Sequence, residues 1–378
     1  MTIDVTQVET ARDRADFLRL PHILYRSDPH WIAPLTMERR DFINPRKNPF
    51  FTYGEAALFV ARRGREVVGR VSAHVNSEHD KLYKDDMGFF GFFEAADDPD
   101  VARALIARAE AWLSAKGRKA MRGPISFTMN DEVGVLIDGF DTPPFVLMAH
   151  SLPYYPKLLE ACGLAKAKDL YAWRYISAEK PAEKAVAIAE LARKTEGLVL
   201  RDVDMKNFLR DLRIILDIFN DVWRLNWGFV PLTEAEIQKT AKDLKMILEP
   251  RLAIIAEWKG EPIAISIAIP NINEALAGLD GKLFPFGLLR LLWRIKVRGL
   301  KSSRLALLGI KRSYRGQGFG GRGLAPLLYT EMHLRSQKLG HWGGELGWTL
   351  EDNDRINVGI EFMGGKVYKK YRVFQKAI

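Results

Sequence analysis

Apolar positions in the opening stretch keep no single period. Over the first fifty-odd residues they are interrupted by the proline-punctuated segments "DPHWIAPL" and "NPRKNPFF", a pattern that predicts helices and turns. Two apolar runs in "AALFVARRGREVVGRVSAHV" then flank Gly64 and predict a hairpin. "MGFFGFFEA" predicts a further short strand. The next helix carries its own start signal: Asp98 can cap it and Pro99 suits its first turn. Val101, Leu105, Trp112 and Leu113 make its apolar stripe, which ends at Gly117. "KAMRGPISF" reads as a strand, "YYPKLLEACG" as a short helix and "LYAWRYIS" as a strand.

The second half repeats that order. Helical patterns run from Met205 to Trp227 and from Thr233 to Leu248, and "RLAIIAEWKGEPIAISIAI" is a hairpin about Lys259 and Gly260. "RLALLGI" is a strand, Leu324, Leu327, Leu328 and Leu339 stripe a helix, "HWGGELGWTL" is a strand, and a short helix and "VYKKYRVFQK" close the chain. The endings correspond as well, with "EACG" at Glu160 matched by "EFMG" at Glu361. This pattern predicts an internal duplication with its seam at the lysine-rich "SAEKPAEKAVA", giving domains 1–178 and 179–378. An α+β fold built on mixed sheets is expected.

Composition narrows the class. At 378 residues the chain exceeds the usual size of a single core, in keeping with two domains. With 47% apolar and 28% charged residues it is a folded chain rather than a disordered one. One cysteine, Cys162, and seven scattered histidines give neither a disulfide framework nor zinc spacing, so a metal-free cytoplasmic protein is expected. The amino terminus lacks a signal-peptide layout, and no apolar stretch is long enough to span a bilayer. The net charge of +10 favours polyanions of some kind: nucleic acid, anionic lipid or a phosphorylated cofactor.

The charge concentrates tellingly in "KRSYRGQGFGGRG", Lys311 to Gly323. An arginine-glycine tail would lie in low-complexity sequence, whereas this stretch sits between a strand and an amphipathic helix. In that setting glycines let main-chain N–H groups converge, and the helix amino terminus adds positive charge, so a phosphate or diphosphate fits. Pro326 suits only a first turn, which starts the helix near Gly321 to Gly323. The nucleoside-triphosphate pattern GxxxxGK[ST] is missing, and no GxGxxG follows the first strand of a parallel unit with an acid about 20 residues on, as a dinucleotide fold requires.

Arg315, Gly318 and Gly320 form R-x-x-G-x-G, which resembles the acyl-CoA pyrophosphate loop of the GNAT superfamily (Gcn5-related N-acetyltransferases). Asn353, Ile356 and Gly364 fall at the spacing that superfamily shows downstream. Across the whole chain "DPHWIAPL", "KNPFF", "GFFGFFE", "GFDTPP" and "YYPKLLEACG" resemble a bacterial group of double-GNAT proteins. The resemblance implies two tandem GNAT-like domains, each a mostly antiparallel twisted sheet flanked by helices. It implies an acyl-CoA-dependent N-acyltransferase whose acceptor is a lipid amine, a sphingoid base above all. Acyl-CoA would be a co-substrate held by Leu308, Ile310, Arg315, Gly316, Gln317, Gly318, Phe319, Gly320, Gly321 and Asn353. The residue that commonly protonates the departing thiolate is replaced by Ile360, which cannot.

Catalytic candidates are therefore Glu351, at the end of a strand beside the expected thioester, and Asn130 and Glu132 of "MNDEVG" in the first half. Each is equally readable as a surface turn residue, and His333 and His341 read as surface residues. Trp227 and Phe229 in "RLNWGFVPL" are candidates for the acceptor side or simply for core. The first-half counterpart of the anion loop, "FFEAADDPD", would set Glu94, Asp97 and Asp98 against a diphosphate, so that half is expected to keep the fold without the cofactor. Finally, residues 286–304 carry six Lys/Arg and no acid among leucines and Trp293. They suit either peripheral contact with an anionic membrane or a core helix whose cations reach water or CoA phosphates. No recognisable nucleic-acid fold is present, so nucleic acid is not an expected partner. An acetyltransferase acting on a small-molecule or protein amine is the alternative enzyme.

Overall fold

A computed structural model describes residues 2–315 and 323–378. Thirteen strands are named in it: β1 (Ile3–Gln7), β2 (Gly54–Arg63), β3 (Glu66–Asn76), β4 (Met87–Ala95), β5 (Ala120–Gly123), β6 (Val135–Asp138), β7 (Ala165–Tyr175), β8 (Leu198–Asp202), β9 (Ala253–Trp258), β10 (Glu261–Pro270), β11 (Ser302–Ile310), β12 (Gly343–Leu350) and β13 (Lys366–Ala377). The main helices are α1 (Ala11–Leu24), α2 (Pro99–Ala115), α3 (Tyr155–Ala161), α4 (Glu183–Arg193), α5 (Phe208–Trp223), α6 (Glu234–Ile247), α7 (Gly287–Trp293), α8 (Leu324–Lys338) and α9 (Asp354–Phe362).

The chain divides into two compact units. One comprises Met1–Leu170, Leu276–Leu291 and Lys369–Ile378; the other comprises Tyr171–Ala275 and Leu292–Tyr368. The chain thus passes between units four times, inside β7, at either end of Leu276–Leu291 and inside β13, a division that no composition shift marks.

In the first unit the strands run β1-β2-β3-β4-β5, with β13 beside β5 and β6 paired to β13. Only β4 and β5 are parallel, from Met87↔Ala120 to Phe89↔Arg122, and α2 is the crossover such a pair requires. Its cap is the one expected: the Asp98 carboxylate accepts from the Asp100 N–H at 2.8 Å. Val101, Leu105, Ile106 and Leu113 are buried on the sheet. The amino terminus departs from expectation, since β1 pairs with β2 ahead of the predicted helices. Residues 3–7 alternate too briefly for periodicity to register.

The second unit repeats the plan as β8-β9-β10-β11-β12, with β7 next to β12. The expected hairpin turns at Lys259 and Gly260, both at positive φ (51° and 83°), as a two-residue loop between right-twisted strands demands. A capping box at Thr233 and Glu236 starts α6. Leu324, Leu327 and Leu328 of α8 are fully buried against Ile254, Ala264 and Leu346. The lysine-rich stretch expected as a seam leads into α4, whose first residues it includes, and β8 follows as an edge strand. The observed class is α+β with mixed, mostly antiparallel sheets.

Candidate functional site

The second unit contains a fork between its two parallel strands. β11 and β12 pair only from Ser302↔Gly343 to Leu305↔Leu346, yet β11 continues to Ile310 and β12 to Leu350. β10 stays with β11 throughout; Ile267 faces Leu307 and Ala268 faces Leu305, so Ala306 is the extra residue of a β-bulge. The bulge falls where pairing with β12 stops.

Alternation along β11 sets where its amides point. The Lys311 N–H donates to Ile263 O at 2.8 Å, toward β10. Ile310 therefore turns its own N–H and C=O to the opposite edge, where its carbonyl accepts from Arg315 Nε at 2.9 Å. Leu308, two residues earlier, faces the same edge. Both residues expected from the sequence thus direct main-chain donors into the fork.

A buried polar cluster holds the fork's base. Arg304 and Glu345 are 6% and 1% exposed and lie 3.4 Å apart. Arg304 Nε donates to Gly347 O at 3.1 Å, on the first residue past the paired stem, while Tyr368 OH donates to Glu345 Oε2 at 2.5 Å. Glycine is obligatory in the stem, because a Cβ on Gly344 would stand 1.9 Å from Ser303 O. The far limb of β12 is tied in turn. Thr349 OH donates to Asn357 Oδ1 at 2.7 Å and accepts from Trp173 Nε1 at 2.9 Å, and Asn357 Nδ2 donates to Leu350 O at 3.0 Å.

Cations gather at the open end. Arg315 is half-buried; desolvation, then Arg355 and Arg312, hold its pKa below the ordinary arginine value, with Asp221 opposing. Asp221 is committed to Arg312, accepting from its main-chain N–H at 2.7 Å and its Nε at 3.3 Å. Like charges assembled this way suit an anion such as a diphosphate. Gly316, Gln317, Gly318, Phe319, Gly320 and Gly321 lie outside the described residues. α8 begins immediately after that stretch, with Gly323 at its N-cap and Pro326 in its first turn as expected. Asn353 is the N-cap of α9 with no side-chain capping bond, and its N–H donates to Leu350 O at 3.1 Å. Sequence reading missed Arg355. A cation in the first turn of α9 opposes the helix dipole, which was the signal available.

The remaining candidates separate. Glu351 is half-buried at the end of β12. Phe229 is core, packed with Leu212, Leu216 and Phe219 (ring centroids 5.3 Å apart), while Trp227 is half-buried. Asn130 and Glu132 belong to the first unit. Asn130 is exposed in a turn, its N–H donating to Thr128 Oγ1 at 3.1 Å, and the Glu132 carboxylate pairs with Arg39. Glu94 is also internal, accepting from Tyr25 OH (2.9 Å) and Tyr155 OH (2.6 Å).

Three expectations need correction. His333 and His341 are not surface residues: they are 2% and 7% exposed, because the face of α8 carrying His333 packs inward. His333 Nδ1 meets Tyr175 OH at 2.7 Å, and burial pushes the Tyr175 hydroxyl up to about 12. Arg304 is no part of an exposed basic stretch, being enclosed at the fork. A cavity of about 40 Å³ lined by Tyr175, Tyr329, His333, Ser336 and Glu345 has room for a few waters and none for an acyl chain. Among the described residues no group of His, Cys, Asp or Glu could hold a metal ion, and no helix is long and apolar enough to cross a membrane.

No family model matches the chain. It is 40% identical over 383 residues to the bacterial ceramide synthase of Caulobacter vibrioides, covering 100% of this chain and 98% of that one. It is 37% identical to the protein named YghO of Escherichia coli, covering 97% and 93%. Among solved structures it resembles a tandem GNAT protein from the clavulanic acid biosynthesis pathway (TM-score 0.55, 12% identity, 100% and 98% covered). It likewise resembles a GCN5-related N-acetyltransferase from Sphaerobacter thermophilus (TM-score 0.55, 14% identity, 99% and 95% covered). A parallel-strand fork with a bulge at its mouth, repeated strand order in two units, and full-length identity of this degree place the chain in the GNAT superfamily of acyl-CoA N-acyltransferases, within the double-GNAT group that includes the bacterial ceramide synthase.

Proposed function

We propose that the chain moves a fatty acyl group from acyl-CoA to the amine of a long-chain base, a sphingoid base being the acceptor that full-length likeness to a ceramide synthase supports best. The fork supplies the chemistry. The CoA diphosphate would lie against Arg315, Arg355 and the amino terminus of α8, and the thioester would enter between β11 and β12. The amine nitrogen attacks the thioester carbon, and the Leu308 and Ile310 N–H groups are positioned to donate to the oxygen as it turns negative. Collapse breaks the C–S bond and forms the amide; the proton leaving nitrogen goes to Glu351 or to water. Ile360 is buried and apolar, so the thiolate takes its proton from solvent, acceptable for a leaving group of pKa about 8.5.

Thiol release by the purified protein tests this reading. Palmitoyl-CoA with sphinganine should give free CoA and an amide, and each substrate alone should give neither. Turnover with acetyl-CoA on short amines, indifferent to chain length, would overturn the lipid assignment. Gly318→Glu, which places an anion in the glycine stretch, should abolish acyl-CoA binding while leaving the fold intact.

A further inference from the structure

Between Asp280 and Glu331 the sequence contains no acidic residue. At the start of this stretch, seven of the 21 large apolar side chains exposed among the described residues fall within residues 284–297. Phe284 and Phe286 are 75% and 74% exposed, Leu289 66%, Trp293 55% and Val297 70%. Globular surfaces scatter such residues singly; a contiguous set calls for a partner.

Local geometry orders them. α7 continues from Trp293 into a π-helical turn, Arg294–Arg298. Leu289, Trp293 and Val297 follow one another at four-residue steps and share a face, while Leu291 on the other side is buried. Arg290, Arg294 and Arg298 form the neighbouring row at the same steps. Arg294 is anchored by donating to Ala275 O at 2.8 Å. Lys282, Arg290, Lys296, Arg298 and Lys301 are exposed around the stripe.

We infer that residues 282–301 dock on an anionic lipid bilayer, the apolar stripe entering the acyl-chain boundary and the cations meeting phosphate headgroups. Charge selects this occupant. A second copy of the chain joined about a two-fold axis through the same patch would bring these cations against themselves with no acid to answer them. A nucleic acid would satisfy the cations and leave the Leu289, Trp293 and Val297 stripe in water. An interfacial helix uses both features, and each Lys/Arg near an anionic membrane strengthens binding about fivefold. The inference rests on exposure and charge, not on the identity of the acyl acceptor.

Co-sedimentation of the full chain with vesicles tests it. Binding to phosphatidylcholine vesicles doped with phosphatidylglycerol is expected, with little on phosphatidylcholine alone, loss in high salt, and a blue shift of tryptophan emission. Lys296→Gln with Arg298→Gln should weaken partitioning about 25-fold, fivefold for each charge. Trp293→Ser with Val297→Ser should weaken it on both vesicle types. All four positions are exposed, so unchanged melting confirms the fold of both variants. Absence of vesicle binding, equal binding to neutral vesicles, a dimer that shields Trp293, or tighter binding to duplex DNA than to anionic vesicles would each overturn the proposal. Thiol release from detergent-dispersed substrates is a separate readout, so failure here and failure of the acyl-transfer reading remain distinguishable.

Discussion

Replacing Arg304 by methionine removes one charge from the base of the fork and leaves its partner behind. The Glu345 side chain is 0% exposed and that of Arg304 8%, at a separation of 3.4 Å. With an effective dielectric constant of about 20, their attraction is about 5 kcal/mol. Desolvation of both charges offsets much of it in the intact protein, but Arg304→Met keeps the cost and discards the gain. Breaking a buried pair this way costs about 3–5 kcal/mol, a large part of a domain's stability. Gly347 O loses its donor as well, so the β12 limb of the fork loosens. Calorimetry should show the second unit's transition lowered by roughly 10 °C. Hydrogen exchange should rise over residues 343–350.

The sign of the pH dependence is a sharper check. Without Arg304, Glu345 escapes the penalty by taking a proton, so its folded pKa rises above the unfolded value of about 4.3. The folded state then binds more protons than the unfolded one, and the variant loses stability as pH rises through the raised pKa, by ~1.4 kcal/mol for each unit of the shift. Relative to the parent, it should therefore suffer less at pH 5 than at pH 8. Adding Glu345→Leu should recover most of the loss and abolish this pH dependence. A single variant costing under ~1 kcal/mol, or one whose deficit is flat with pH, would show that the pair does not hold the fork.

Arg355→Glu puts an anion beside Arg315; acyl-CoA affinity measured by titration calorimetry should drop at least about tenfold with melting unchanged, because the side chain is exposed. Gly344→Ala drives a Cβ to 1.9 Å from Ser303 O, so β12 must leave its partner strand. Loss of roughly 3 kcal/mol or more, or no soluble protein, is expected in urea unfolding. His74 is enclosed by Phe50, Phe89 and Phe127, and burial lowers its pKa to about 3. The unfolded chain binds the extra proton, so this residue removes stability as pH falls from about 6.5 toward 3, by ~1.4 kcal/mol per pH unit. His74→Phe should flatten that limb of the first unit's acid unfolding curve, and an unaltered curve would refute the assignment.

Much of this architecture was legible in the chain because it is written locally. The Asp98–Pro99 cap, the Lys259–Gly260 turn and the leucine stripe of α8 each depend on residues within a few positions of one another, where backbone geometry and helical period act directly. Full-length pattern also carried the family, since the recurring strand and helix order needs no contact map.

Other features arise from approach across long separations and leave no periodic trace. Arg304 lies in a basic stretch and reads as solvated; only the fold encloses it with Glu345 and Gly347. His333 looks like an exposed helix residue until Tyr175, distant in sequence on β7, meets its ring. Arg355, Asn357 and the wedge between β11 and β12 follow from where parallel pairing stops, a choice made by a bulge at Ala306 and a buried charge pair. Sequence alone determined most of the elements and their repeated order, because these are properties of neighbouring residues. Tertiary structure decided which charges are buried and where two strands separate, because desolvation and register exist only once distant segments have come together.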